Sequence, residues 1–321
     1  MYLIAAHARR LVTALADVRI AVSGARAIAI TATAAITVAA CGSSTDAPTA
    51  SHASNAPHVA SRAGVVDVLS AGSLDTVMTH EIAPAFHRAT GDTLVDTSAG
   101  SKALAADIKN GVDVADVFVS ASAHADALLQ GHANGNWVSW YAEFADSPYV
   151  LAYAPHSTFA HALRTSPWYD VITMHGFRLG RTNPSEDPGG VLAVEALEQT
   201  AASRHVPALA RLASDPSSEY EENAEEAGVQ NGQLDGAFMY EADAISQGSP
   251  FVPLTGTHLE GLYTVTLVNR APHPAAGEAF IAFLLSPQGR ALMRSDKFGT
   301  IAPPHVVGTD VPSALTPTLS H

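Results

Sequence analysis

A two-lobed α/β fold is predicted by three observations. Strand-like apolar runs alternate with stretches of helical periodicity from Val65 onward, the pattern of a mainly parallel sheet flanked by helices. The 321 residues, 47% of them hydrophobic, can bury a sizeable core and leave room for two lobes. A strand with an early proline, Ser147-Pro148-Tyr149-Val150-Leu151-Ala152-Tyr153, interrupts the alternation and reads as the first crossing from one lobe to the other. In such sheets ligands bind beyond the carboxyl ends of the strands.

The N-terminal stretch is read separately. The chain's single cysteine, Cys41, ends Val38-Ala39-Ala40-Cys41 after an apolar run that begins near Ala27, with Arg9, Arg10, Arg19 and Arg26 upstream. This matches the lipobox of bacterial lipoprotein signal peptides, and the apolar run is too short to span a bilayer comfortably. The expectation is a leader over 1–40, lipid on Cys41, and a tether over 41–64 rich in Ser, Thr, Ala, Pro, Asn and His. An ordinary secretory leader, with Cys41 irrelevant, is the alternative. With 17 Lys and Arg against 31 Asp and Glu, the formal charge of −14 gives no support for nucleic-acid binding or for attachment to anionic lipid by charge. An anion site here must work locally, through dipoles and hydroxyls.

The first unit is a strand, Val65 to Leu69, a turn through Ser70-Ala71-Gly72, and a helix whose apolar face is Leu74, Val77, Met78, Ile82 and Phe86. Ser73 reads as its N-cap. A helix start offers free N–H groups, the positive end of a dipole and, here, a hydroxyl, which together suit an anion. Ser98-Ala99-Gly100-Ser101 repeats the arrangement before a helix over Lys102 to Asn110 that Gly111 stops. A plain capping role for both serines is the alternative. A third strand, Ala115 to Ser120, and a short helix, Ala125 to Gln130, follow; Trp137, Trp140 and Tyr141 then read as core aromatics rather than a binding surface. Beyond the crossing strand, Asp187 reads as an N-cap and Pro188 as the first residue of a helix whose Gly189 and Gly190 leave backbone N–H groups accessible. Glu219 to Glu226 carries five glutamates and reads as a solvated helical face. A buried strand ending at Tyr240, a return strand over Tyr263 to Val268, and helices over Ala275 to Leu285 and Pro287 to Arg294 complete the chain.

Ala71-Gly72-Ser73-Leu74, Ser98-Ala99-Gly100-Ser101, Ala115-Asp116-Val117, Asn183-Pro184 with Asp187-Pro188-Gly189, and Leu234-Asp235-Gly236-Ala237-Phe238 with Tyr240 occur in one order. Together they resemble the periplasmic molybdate/tungstate-binding proteins of ABC importers over about residues 65 to 305. Asn269-Arg270-Ala271-Pro272-His273-Pro274 and the stretch from Phe280 to Gly289 are similar to the wider group of solute receptors. The resemblance implies a type II periplasmic-binding-protein fold with a ligand cleft between lobes, lobe 1 over 65–149 and 263–321 and lobe 2 over 150–262. It implies an oxyanion held by Ser73, Ser101, the amide near Gly189 and the Tyr240 hydroxyl, with no cofactor apart from the molybdate or tungstate ligand. In one branch of that family two carboxylates also ligate the metal centre. One of them matches Asp187, the other falls on Met239, a poor hard-metal ligand, and Glu241 is the candidate substitute. The implied partners are an ABC permease and ATPase, the implied place is the periplasmic face of the envelope, and the implied state is a monomer. A receptor for sulfate or phosphate, or a sensor domain on the same fold, is the alternative. An enzyme is disfavoured, since neither a Gly-x-Ser-x-Gly elbow nor a His-Glu-x-x-His is present. The 15 histidines are too scattered to read as a zinc or iron site.

Overall fold

The computed structural model describes residues 64–320; Cys41, the leader and the tether lie outside the described residues. Strands β1 (Val65–Ala71), β2 (Thr93–Ala99) and β3 (Val117–Ser120) form a parallel block with β1 in the middle. At the other end β5 (Leu179–Thr182), β6 (Glu219–Tyr220) and β7 (Gly236–Tyr240) form a second parallel block. Between them lie β4 (Trp140–Tyr153) and β9 (Glu260–Leu267), both antiparallel to their neighbours, giving the order β2-β1-β3-β9-β4-β7-β5-β6. The sheet is therefore mixed, parallel at each end and antiparallel where the two lobes join.

The joint is β4. Its first half pairs with β9 and with β10 (Gly299–Gly308), and its second half, from Tyr149, pairs with β7 and with β8 (Phe251–Pro253). The strand starts seven residues before the predicted Ser147, because Trp140 and Tyr141 are strand residues packed into the core. Pro148, which lacks an N–H to donate, is exposed where pairing changes hands. Next to it, the buried Ser147 hydroxyl accepts the Ala242 N–H at 3.2 Å, so the crossing strand satisfies a donor at the start of the helix Glu241–Ser246.

Helices cover the sheet. After β1 the chain runs through a tight turn, Gly72–Leu74, and a π-type turn, Met78–Ile82, into α1 (Ala83–Thr90), with Leu74, Val77, Met78, Ile82 and Phe86 all buried as the periodicity requires. Ser73 sits inside the tight turn and makes no capping bond, which corrects the predicted N-cap: the chain enters the helix at Ala71. Helix α2 (Ser101–Asn110) ends at Gly111, whose φ of 67° is the left-handed stop expected of glycine. Helix α3 (Pro188–Arg204) begins with Asp187 as cap and Pro188 at the first position, as the sequence predicts. Helices α4 (Glu222–Gln230) and α5 (Glu241–Ser246) belong to the far end of the sheet. Helices α6 (Pro274–Leu284) and α7 (Pro287–Ser295) return to the first lobe, where Phe280 and Phe283 meet Phe86 edge-on with ring centres 5.6 and 5.7 Å apart. No described helix is long and apolar enough to cross a membrane.

Two predictions concern this framework. Phe86→Ala empties a fully buried site at which a late helix meets an early one, so unfolding in urea should lose about 3–5 kcal/mol with an unchanged m-value. Asp126, fully buried beneath β3 and β9 and accepting from Thr264 at 2.6 Å, has its carboxyl pushed up to about 7 by burial. The folded chain thus holds a proton that the unfolded chain releases near about pH 4. This contribution to stability is complete below about pH 4 and is lost as pH rises through about 7. Melting temperatures measured from about pH 5 to about pH 8 should fall more steeply for the parent chain than for Asp126→Asn.

Candidate functional site

The predicted hydroxyls of the first lobe are both buried and both have an uncommitted proton. Ser73 is 6% exposed, and its Oγ accepts from the Tyr263 hydroxyl at 3.0 Å. Ser101, the first residue of α2, is fully buried and its Oγ accepts the Ala121 N–H at 3.0 Å. Neither serine donates to an acceptor among the described residues, so each can still donate to a ligand.

From the second lobe, Asp187 caps α3. Its Oδ1 accepts the Gly189 N–H at 2.6 Å, the Gly190 N–H at 3.3 Å and the Thr182 hydroxyl at 2.9 Å. The Gly189 N–H is therefore spent on the cap and is not the free donor the sequence reading made it. Burial pushes the Asp187 carboxyl up against the opposing pull of these bonds. Tyr240 closes β7 just before α5; it is 2% exposed, and its hydroxyl has no hydrogen-bond partner among the described residues. Tyr149 and Tyr263 stand around its ring, with centres 5.1 and 5.8 Å away. Glu241, its neighbour, opens α5 half-buried and does not line the small cavity beside Tyr240 that Asp187, Gly189, Glu222 and Glu226 line.

The lobes meet at the start of α2. The Lys102 and Ala103 N–H groups both donate to the Glu186 carbonyl, at 3.0 and 3.1 Å, and Lys102 Nζ donates to the Pro184 carbonyl at 2.8 Å. A helix N-terminus that could receive an anion is thus latched onto a loop of the opposite lobe. Gly100 makes this approach possible: a methyl group added there would lie 2.7 Å from the Glu186 carbonyl oxygen.

The glutamate run is the largest departure from the sequence reading. Glu225 is 1% exposed, and Glu222 and Glu226 are half-buried, facing Asp243 of α5. The Glu222 carboxyl lies so close to the Gly72 turn that a methyl group on Gly72 would run into it. Burial pushes Glu222, Glu225 and Asp243 far above the usual carboxylate range, with the charge of Asp187 and Glu226 adding to it, and pushes Glu226 up to about 7, with the charge of Asp75 adding. The signal for this was present. Glu222, Glu225 and Glu226 stand seven, four and three residues before Val229, so they share the stripe of α4 that this buried valine marks as inward.

A sequence profile of bacterial extracellular solute-binding proteins matches residues 66–298. The chain belongs to that family. Among relatives of these solute-binding proteins, one from Petrotoga mobilis, itself uncharacterised, is 24% identical over 283 residues, covering 77% of this chain and 87% of its own. A Haloferax volcanii protein, provisionally named as the molybdenum-binding protein of an ABC transporter, is 29% identical over 60% of either chain. The solved periplasmic molybdate-binding protein of Azotobacter vinelandii superposes with a TM-score of 0.58 at 18% identity, over 73% of this chain and 98% of that one, and so shares the fold. The two-lobed type II architecture follows from this likeness and from the sheet order above.

The latch generates a prediction. Gly100→Ala leaves the backbone free to hold its φ of −55° but forces the Glu186 loop away. Hydrogen exchange should accelerate at the Lys102 and Ala103 amides, while the amides of β1 and β3 keep their protection.

Proposed function

We propose that this solute-binding protein is the substrate-binding component of an ABC importer that captures molybdate or tungstate between its lobes. The carrying observation is the Tyr240 hydroxyl, nearly inaccessible and without a partner among the described residues, whose ring stands beside that of Tyr263, the residue bonded to Ser73. An unsatisfied buried hydroxyl costs about 1–3 kcal/mol, which an oxyanion acceptor would restore. Ser73 and Ser101 supply two further protons from the opposite lobe. Asp187 has one oxygen saturated by its cap, so its Oδ2 is the atom left for a metal centre. Met239 stands where one branch of the related receptors has a carboxylate, so Asp187 is the one carboxylate of that pair present here. The likeness to the Haloferax and Azotobacter proteins supports the same ligand class.

In this reading the protein is a monomer held at the periplasmic face by lipid on Cys41. Residues 65–149 and 263–321 move as one lobe and 150–262 as the other, presenting the closed form to a permease and its ATPase. It carries out no chemistry on the ligand.

Calorimetry of the purified chain against molybdate, tungstate and sulfate tests the assignment. One molybdate or tungstate per chain is expected, and Ser73→Ala and Tyr240→Phe should each weaken binding about 10- to 100-fold, the loss of one charge-assisted hydrogen bond. Binding of sulfate alone would reassign the ligand, and no heat with any of the three would sink the proposal.

A further inference from the structure

Glu222 and Glu226 lie one helical turn apart on α4, and Asp243 faces them from the first turn of α5; one oxygen of each lies within 4.8 Å of the other two. A hard cation bound by oxygens at about 2.0–2.6 Å holds its ligands at separations of this size. Acidic clusters alone are commonplace, but this one has two further features. Asp243 is 6% exposed and its Oδ2 has no partner among the described residues, and the same holds for Glu222 Oε2. The Tyr240 hydroxyl, also without a partner, lines the cavity that Glu222 and Glu226 line, a space of about 10 Å³ that suits a single water or ion. The ion pairs among the described residues are formed by Arg178, Arg181, His273 and His305, none of them with these three carboxylates. By contrast, the other cluster of this kind, Asp67, Asp116 and His273, is accounted for: Asp116 accepts from the Asp67 and His273 backbone and stands beside the His273 ring, tying a loop to β3.

We infer that Glu222, Glu226 and Asp243, with the Tyr240 hydroxyl beside them, form a binding site for a hard divalent cation where the two lobes meet. The donor set is all oxygen, which selects Mg2+, Ca2+ or Mn2+ over the softer metals. The site has a consequence that rests on the oxyanion reading: a cation on these carboxylates turns the acidic wall of the cleft from one that repels an anion into one that attracts it, and by linkage each ligand tightens the other.

The probe is Mn2+, titrated into the purified full chain without any oxyanion and followed by the electron paramagnetic resonance signal of the free ion. One bound Mn2+ per chain is expected, displaced by Mg2+ or Ca2+. Asp243→Asn and Glu222→Gln should each weaken it about tenfold or more. Glu222→Gln, at a half-exposed position, serves as the variant that keeps its fold, checked by circular dichroism. Failure of the parent chain to bind Mn2+ at about millimolar concentration, the weak end of oxygen-ligand sites, or an affinity unchanged in folded Glu222→Gln, would overturn the site. Because that titration contains no oxyanion, its outcome is independent of whether molybdate binds. Repeating the molybdate titration with saturating Mn2+ reads the linkage separately: unchanged molybdate affinity would remove the coupling and leave the cation site standing.

Discussion

Taking a carboxylate out of water costs several kcal/mol unless a cation, a proton or a fan of donors replaces the solvent. Around this cleft, different carboxyls meet that constraint in different ways. Asp187 turns one oxygen toward two N–H groups and a hydroxyl at the start of α3. Glu225 lies within electrostatic reach of Arg181, itself buried and paired with Glu219 at 2.8 Å. Glu222, Glu226 and Asp243 have no ion-pair partner among the described residues, and the donors near Glu226 and Asp243, the Gln247 side chain and the Tyr240 backbone, do not offset burial, which holds the carboxyls above their ordinary range. The wall of the cleft that belongs to the second lobe is therefore set by where charge can be neutralised, while the opposite wall is built of neutral hydroxyls.

These two walls are brought together by backbone connectivity. Of the 14 residues of β4, those from 140 to 148 pair toward one end of the sheet and those from 149 to 153 toward the other, and β9 runs beside the first stretch through the joint. Through Ser147 the same strand reaches the start of α5, the helix that follows Tyr240. The crossing strand is thus tied to the backbone at Ala242, between Tyr240 and Asp243. Across the cleft, the latch between α2 and the Glu186 carbonyl occupies N–H donors of a helix terminus, the kind of group that also suits an anion.

Much of this was legible without coordinates. The apolar face from Leu74 to Phe86, the glycine stop at Gly111 and the cap at Asp187 depend on interactions within a few residues, and local sequence carries them completely. Ser73 was legible as a residue of interest but not as to its role. Its partner is Tyr263, 190 positions away, and no local pattern distinguishes a capping serine from one that accepts a hydrogen bond across the sheet. The Gly189 amide failed as a free donor for a related reason: the residue that frees or occupies it, Asp187, could turn either way.

What the sequence by itself determined, then, was the alternation of elements and the solute-binding family, because these rest on short-range periodicity and on motifs in order. What only the tertiary structure decided was the charge of the cleft. Five glutamates in a row of eight residues look like a solvated face, and for an isolated helix they would be one. Packing α4 by Val229 turned the stripe of Glu222, Glu225 and Glu226 inward, against Asp243 and the Gly72 turn, and so put acid where an anion receptor was expected to show only donors. Burial is a property of the assembled fold, and a carboxylate's chemistry follows its burial.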